Sequence, residues 1–544
     1  MRPAALALSA LLAVAGAFAD PPQVGKAGLF GHSGSTYTWL RFEVVNPGLS
    51  PVDFDVRLGE SYRQFSLVRL RDQRLEAGER RSYQIPVPAF SGAGPVSILV
   101  QSRGEVSTEW ANLSREVHFL QIAPVKSWAT EQEMIDFATG RTSAGRYSRY
   151  SSGPSHDVAQ VDPVDGLPDN WLCYLPFQET FILESSWNRL EAAERNALLD
   201  WVAAGGRLVV YGSTQLRQEG YLLGGIVRQP ANPLASPGDH RAPTGLPVEL
   251  FRGARTGPLF TDFPFLSRGY AARSGGLLLS TLFLIVAGPV NYIYWRRRNR
   301  IRMLMVSVPI LSLAFCLLIG VFFIASQGFA RKGGSFSLTL MDETADHGLT
   351  FSRHAMLSGL YPLGGFGFDP KTCFYPLQET GGDSYSFDYS RGHRLESGLF
   401  KPSVNFHYFT AVPFRSREHL VYNAAEGSIT NGYELGLEKL LLRDGGRYLW
   451  ADRVPSGGTV RLTELSPGVE MGWPAPFTGR VLSEPELRYW NHFGNLWRPM
   501  IDGSAGPAFM ARLAGSPRGL EQGASIRSGA QCNVIMGLLE TGTP

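Results

Sequence analysis

The chain has 544 residues, too many for one hydrophobic core, so several domains are expected. Charged residues make up only 18% of it, while 61 Gly and 36 Pro point to turn-rich β-modules. The formal net charge of +3 includes an arginine cluster at 296–302, which leaves no basic field elsewhere and excludes nucleic-acid binding.

Arg2, the apolar stretch Ala4 to Val14 and Ala17-Phe18-Ala19 before Asp20 have the layout of a secretory signal peptide over residues 1–19. A retained signal anchor is the alternative reading, but the stretch is short for a span. From 20 to 115 the pattern has period two. Leu40, Phe42 and Val44 alternate with Arg41 and Glu43; Val52, Phe54, Val56 and Leu58 alternate with Asp53, Asp55 and Arg57; Tyr83, Ile85 and Val87 repeat the theme. With turns at Asn46-Pro47-Gly48 and Ala77-Gly78-Glu79, these half-buried strands suggest an immunoglobulin-like β-sandwich.

Residues 116–255 change to alternating strands and helices, as expected of an α/β domain with a parallel sheet. Strands are expected at Val117 to Ile122, Val158 to Val161, Thr180 to Leu183 and Leu208 to Tyr211. One helix is expected from a capping box at Thr130 and Glu133 to Gly140. A second is expected over Leu190 to Ala203, with Asn188 and Glu191 as its capping signature and Gly205-Gly206 as its end. Phe181-Ile182-Leu183, this second helix and Leu199-Asp200-Trp201-Val202-Ala203-Ala204-Gly205-Gly206-Arg207-Leu208-Val209-Val210 resemble the class I glutamine amidotransferase-like fold in a degenerate, membrane-associated form.

After a linker at 256–274, two apolar runs at 275–295 and 303–326 are each long enough to cross a bilayer. Arg296, Arg297, Arg298, Arg300 and Arg302 fill the connection, and the positive-inside bias would hold it in the cytoplasm. A two-pass plasma (inner) membrane protein is expected, with both flanking regions extracytoplasmic. Gly288-Pro289-Val290-Asn291-Tyr292 is similar to the hairpin of bacterial two-helix membrane proteins that carry an amidotransferase-like domain. Their layout of β-domain, amidotransferase-like domain, hairpin and β-domain implies the same order here.

Residues 333–544 return to β grammar, with one or two modules. Asp444-Gly445-Gly446 between Leu440-Leu441-Leu442 and Tyr448-Leu449-Trp450 signals a hairpin. Val454-Pro455-Ser456-Gly457-Gly458 faintly echoes Leu75 to Tyr83, as expected if a sandwich-like module recurs. Ser483, Pro485 and Glu486 open an amphipathic helix carrying Leu487, Trp490, Phe493 and Trp497, which either rests on the outer leaflet or packs on its own β-domain.

Chemistry is sparse. Amidotransferase catalysis needs a cysteine on a sharp strand-to-helix turn, yet the strand that could feed it ends in Tyr211-Gly212-Ser213-Thr214. Cys173 precedes a strand instead and reads as a buried thiol. Cys316 lies within the second apolar run, and Cys373 and Cys532 are open to pairing in an oxidising compartment. Gly31-His32-Ser33-Gly34-Ser35, Asp239-His240 and Gly364-Gly365-Phe366-Gly367 read as loops and turns, and the histidines have no metal-ligand spacing. No catalytic residue, cofactor or metal site is assigned. The expected function is a non-catalytic, membrane-anchored envelope protein that binds a protein partner or envelope polymer, as in an accessory subunit of a membrane complex. The alternative is a divergent hydrolase or transferase.

Overall fold

The computed structural model describes residues 21–31, 36–60, 66–89, 95–102, 104–111, 117–122, 157–162, 166–212, 217–229, 268–327, 332–357, 365–377, 385–398, 406–465, 482, 490, 506–515 and 527–539. The expected signal peptide, the helix from Thr130 to Gly140 and the turns around His32, Ser213 and Asp239-His240 lie outside them.

The period-two region forms β1 (Gln23–Phe30), β2 (Tyr37–Val45), β3 (Val52–Glu60), β4 (Ser66–Leu75), β5 (Arg80–Pro88), β6 (Val96–Ser102) and β7 (Glu105–Ala111). Antiparallel pairing gives one sheet of order β1-β2-β5 and puts β4-β3-β6-β7 in another. Alternation dictates which side chains face inward. Leu40, Phe42, Val44, Val56, Leu58 and Ile98 are buried because every second residue of a strand points to the same face, while Trp39, on the opposite face of β2, is buried against Tyr174 and Phe177.

Next come β8 (Val117–Ile122), β9 (Asp157–Val161), β10 (Glu179–Leu183), helix α1 (Ala192–Ala203), β11 (Arg207–Tyr211), β12 (Arg217–Tyr221) and β13 (Gly224–Gln229). Their sheet runs β12-β13-β11-β10-β8-β9, parallel except for the antiparallel edge strand β12. Helix α1 starts two residues later than expected. Asn188 ends a preceding helical turn by donating its N–H to Glu184 O, and the cap is Glu191, whose N–H is accepted by Glu194 Oε2 at 3.0 Å. The end is as expected: Gly205 N–H bonds Val202 O and Gly206 N–H bonds Trp201 O, with Gly205 at φ +111.

The apolar runs form α2 (Arg268–Ile285), a π-helical turn Val286–Val290, α3 (Asn291–Arg297) and α4 (Leu304–Gln327). Pro289 lies within the π turn, which accommodates a residue that cannot donate to the helical ladder. Both helices are long and apolar enough to cross a membrane, and Leu277, Met305, Ile310 and Val321 are 62–84% exposed. The core helix of a soluble domain would instead have these side chains covered.

The remaining strands are β14 (Lys332–Asp342), β15 (His347–Leu357), β16 (Phe366–Phe368), β17 (Cys373–Pro376), β18 (Ser386–Asp388), β19 (His393–Ser397), β20 (Phe406–Arg415), β21 (Leu420–Asn423), β22 (Ser428–Asn431), β23 (Leu437–Asp444), β24 (Arg447–Val454), β25 (Thr459–Arg461), β26 (Thr463–Glu464), β27 (Ala508–Leu513) and β28 (Arg527–Leu538). They build a nine-stranded sheet of order β17-β20-β15-β14-β28-β27-β23-β24-β26 and a small sheet β21-β22-β25. The expected hairpin at Asp444-Gly445-Gly446 is the β23–β24 turn, with Gly445 at φ +57.

Two arrangements extend the sequence reading. First, β18 pairs in parallel with β4, so β16, β19 and β18 extend the first sandwich's sheet into β16-β19-β18-β4-β3-β6-β7. Chain segments before and after the hairpin therefore share one sheet. Second, the strand order of the first two sheets recurs. Sheets β21-β22-β25 and β24-β23-β27-β28 match β1-β2-β5 and β4-β3-β6-β7 strand for strand.

A buried asparagine marks the correspondence. Asn46 Nδ2 donates to the carbonyls of Ser50, Glu76 and Leu75 (2.9, 2.9 and 3.5 Å), its Oδ1 accepts Gly48 N–H, and its N–H donates to Glu79 O. Asn431 donates to Leu435, Val454 and Pro455 (2.9, 3.2 and 3.3 Å), accepts Tyr433 N–H, and donates its N–H to Gly458 O. Each asparagine satisfies the carbonyls that end one strand and the turn after another. The faint echo between 75–83 and 454–462 is thus a repeated corner.

Candidate functional site

The densest constellation of chemical groups among the described residues lies where the first sandwich, the α/β sheet and the post-hairpin strands meet. Its centre is the segment 369–374, which enters β17. Tyr37 of β2 accepts the N–H of Phe374 and donates to its carbonyl, both at 3.1 Å. Asn170 Nδ2 donates to Pro370 O at 2.9 Å, and Trp171 Nε1 to Lys371 O at 2.6 Å. A backbone segment needs partners for its polar groups once buried, and here elements on both sides supply them.

Asp200 completes the junction. It lies in the last turn of α1 and is 3% exposed, although the same turn carries the buried Trp201, Val202 and Ala203. Its Oδ2 accepts from Lys371 Nζ at 2.7 Å, and its Oδ1 lies 3.4 Å from His347 Nε2. The other imidazole nitrogen, Nδ1, is 2.9 Å from the Tyr221 hydroxyl at the end of β12. Burial alone would raise the Asp200 carboxyl, but the neighbouring His347 and the hydrogen bond and charge of Lys371 outweigh it and hold the carboxyl below its ordinary value. Burial pushes the Tyr221 hydroxyl up to about 12, so it stays protonated. Arg415 of β20 reaches Asn196 of α1 at 2.6 Å and extends the same seam.

A carboxylate, an imidazole and a hydroxyl in sequence are the parts of a proton relay. The carboxylate and the imidazole are covered, with side chains 4% and 1% exposed, whereas Tyr221 is half-buried and the Lys371 side chain is 42% exposed. The described residues include no group of three His, Cys, Asp or Glu side chains able to hold a metal ion. A cavity of about 100 Å³ lies elsewhere, lined by Met341, Phe414, Tyr433, Leu435, Leu513 and Ile535 among others. That volume suits waters rather than a drug-sized ligand, which needs roughly 300 Å³ or more.

The residues singled out from sequence fall apart spatially. Cys173 and Cys373 are buried, and burial raises both thiols. The Cys373–Cys532 pairing does not form. Cys373 is on β17 and Cys532 on β28, with β20, β15 and β14 between them, a separation of about 19 Å at roughly 4.8 Å per strand. Trp490 is 4% exposed and packs in the main core with Leu482, so its side chain is covered by protein rather than lipid; Leu487, Phe493 and Trp497 lie outside the described residues. Arg296, Arg297, Arg298, Arg300 and Arg302 are all exposed at the hairpin tip. A Cβ at Gly365 of the glycine-rich run would collide with Leu395 O, a close approach of two backbones that explains a glycine without any phosphate. Sequence reasoning missed Asp200, Tyr221, His347 and Lys371. The one local signal was an acidic residue among the apolar side chains of the final turn of α1.

No protein-family model and no curated protein matches the sequence. Among solved structures, a β-glucosidase from Erythrobacter marinus aligns at 15% identity over 17% of this chain, with a TM-score of 0.12, and the chain spans 14% of that enzyme. The yeast delta-COP-I mu-homology domain aligns at 4% identity, covering 39% of this chain and 98% of its own, with a TM-score of 0.19. The β-glucuronidase 2 of Bacteroides uniformis gives 10% identity, 36% and 34% coverage and a TM-score of 0.14. Scores at this level establish no shared fold.

Proposed function

We propose that this is a non-catalytic, membrane-anchored envelope protein whose extracytoplasmic region forms one braced body that binds a protein partner or envelope polymer. The observation that carries the reading is the Asp200–His347–Lys371 junction: the groups best suited to chemistry are spent holding α1 against β15 and the segment before β17. The Arg71 pairs with Glu396 at 2.6 Å and Asp388 at 3.6 Å add a further brace between β4 and the strands beyond the hairpin.

The β4–β18 pairing supports a hairpin topology, because strands of one sheet must lie on the same side of the bilayer. Together with the arginine tip and the leader-like N-terminus, it favours both flanks outside an inner membrane. Strand orders β1-β2-β5 and β4-β3-β6-β7 support the immunoglobulin-like reading. Parallel β9-β8-β10-β11-β13, numbered within the domain as 2-1-3-4-6, supports the flavodoxin- and amidotransferase-like one. In this reading the domain keeps the family scaffold without its cysteine nucleophile.

Affinity purification of the full chain from membranes in mild detergent tests the proposal. A stoichiometric partner or bound polymer that survives Cys173→Ala and Ser213→Ala supports it. Hydrolase or transferase activity abolished by either substitution in a folded protein would replace it with the enzyme reading.

A further inference from the structure

The tip of the membrane hairpin is more ordered than a topological signal requires. Trp295 is its hub. The indole Nε1 donates to Ser307 Oγ of α4 at 3.1 Å, while the Trp295 carbonyl accepts the N–H groups of Arg298 and Arg300 at 3.2 and 3.1 Å. Asn291 and Ser307 exchange hydrogen bonds at 2.9 and 3.1 Å one turn deeper, closing α3 on α4. Asn299 takes φ +53 and turns the chain, and Met303 N–H bonds Arg300 O at 2.9 Å. The connection between the two spans is therefore held at both ends.

On this closed turn stand Arg296, Arg297, Arg298, Arg300 and Arg302, all exposed. The Arg298 guanidinium carbon lies 4.8 Å from the Tyr294 ring centroid, which aims it back toward the helix flank rather than out into bulk water. No Asp or Glu occurs in the sequence between Asp262 and Asp342, so the surrounding chain supplies no counter-charge. Tyr292, Tyr294 and Trp295 border the cluster, the residue types that settle at the level of lipid headgroups. Five positive charges on one short turn, with no ion pair to any described residue, complement phosphate; a guanidinium meets two phosphate oxygens with parallel N–H donors.

We infer that the hairpin tip is a binding site for anionic phospholipid headgroups, with the five guanidinium groups taking lipid phosphates and the Trp295–Ser307–Asn291 clasp holding them in register. The inference is independent of what the extracytoplasmic body binds. It assigns the arginines a role beyond orientation.

The test is lipid retention by the purified full-length protein, measured by native mass spectrometry after exchange into micelles containing phosphatidylglycerol or phosphatidylcholine. The wild type should retain phosphatidylglycerol in preference. Arg297→Gln/Arg300→Gln should weaken that retention about tenfold or more, and Arg297→Lys/Arg300→Lys should keep most of it. A reporter fused at 299 checks that both variants remain inserted with the tip on the same side, and single substitutions replace the pair if they do not. Equal retention of the two lipids by the wild type, or a preference unchanged by the glutamine substitutions, would overturn the inference. Displacement of lipid by inorganic phosphate beyond that by chloride at equal ionic strength would reassign the site to free phosphate and overturn it as well.

Discussion

Asp200 is the sharpest point at which to break the junction. Asp200→Ala removes a carboxylate that is 3% exposed and holds Lys371 at 2.7 Å and His347 at 3.4 Å. Breaking a fully buried pair costs about 3–5 kcal/mol, but Lys371 is half-exposed and its ammonium can return to water, so the expected cost is about 2–3 kcal/mol. Asp200→Asn keeps the volume and one acceptor and should cost about 1–2 kcal/mol. The loss is local, at the contact of α1 with β15, and amide hydrogen exchange reads it directly. Exchange at Trp201 to Ala204 and at the start of β15 should accelerate roughly 30- to 150-fold in Asp200→Ala, with β22 and β25 unchanged.

The pH dependence has a definite sign. The folded carboxyl is held below its ordinary value, so its stabilisation is present above about pH 4, the unfolded value, and is lost as pH falls further. Acceleration below threefold in Asp200→Ala would refute the claim that this cluster braces the body.

Asn46→Ala and Asn431→Ala should each lower stability by about 2–4 kcal/mol, because each orphans the same set of buried carbonyls; a strongly unequal pair in denaturant titration would argue against a repeated corner. Burial lowers His354 and His393 to about 3, so each stays neutral in the fold while the unfolded chain takes up a proton below about pH 6.5. Thermal unfolding in detergent should therefore show stability falling by about 2 kcal/mol per histidine between pH 6.5 and 5, and His354→Gln should flatten that slope. Cys173, Cys373 and Cys532 should resist maleimide labelling until the chain unfolds, since burial keeps the reagent from the thiols; rapid labelling of any of them in the folded protein would contradict the packing. An extracytoplasmic reporter should be active after Gly212 or Gly446 and a cytoplasmic one near Asn299, and the reverse pattern at either outer fusion would reject the topology.

Features with a local cause were determined by sequence alone. The alternation of Leu40, Phe42 and Val44 sets strand faces, Gly205-Gly206 ends α1, and uninterrupted apolar length defines the spans. Each needs only a dozen or so neighbouring residues to decide its energy. Tertiary structure decided the rest. The pairing of β4 with β18 joins residues more than 300 positions apart, and backbone hydrogen bonds carry no mark of which distant strand they will meet. Asp200 was visible as an acid on a helix, but its burial depends on Lys371 and His347 arriving from beyond the two apolar helices. Cys373 and Cys532 share a compartment in the sequence reading, whereas three intervening strands separate them in the fold. The asparagine corners stand between these cases: a faint echo marks them in the sequence, but only the folded chain gives Asn46 and Asn431 matching sets of carbonyls to satisfy.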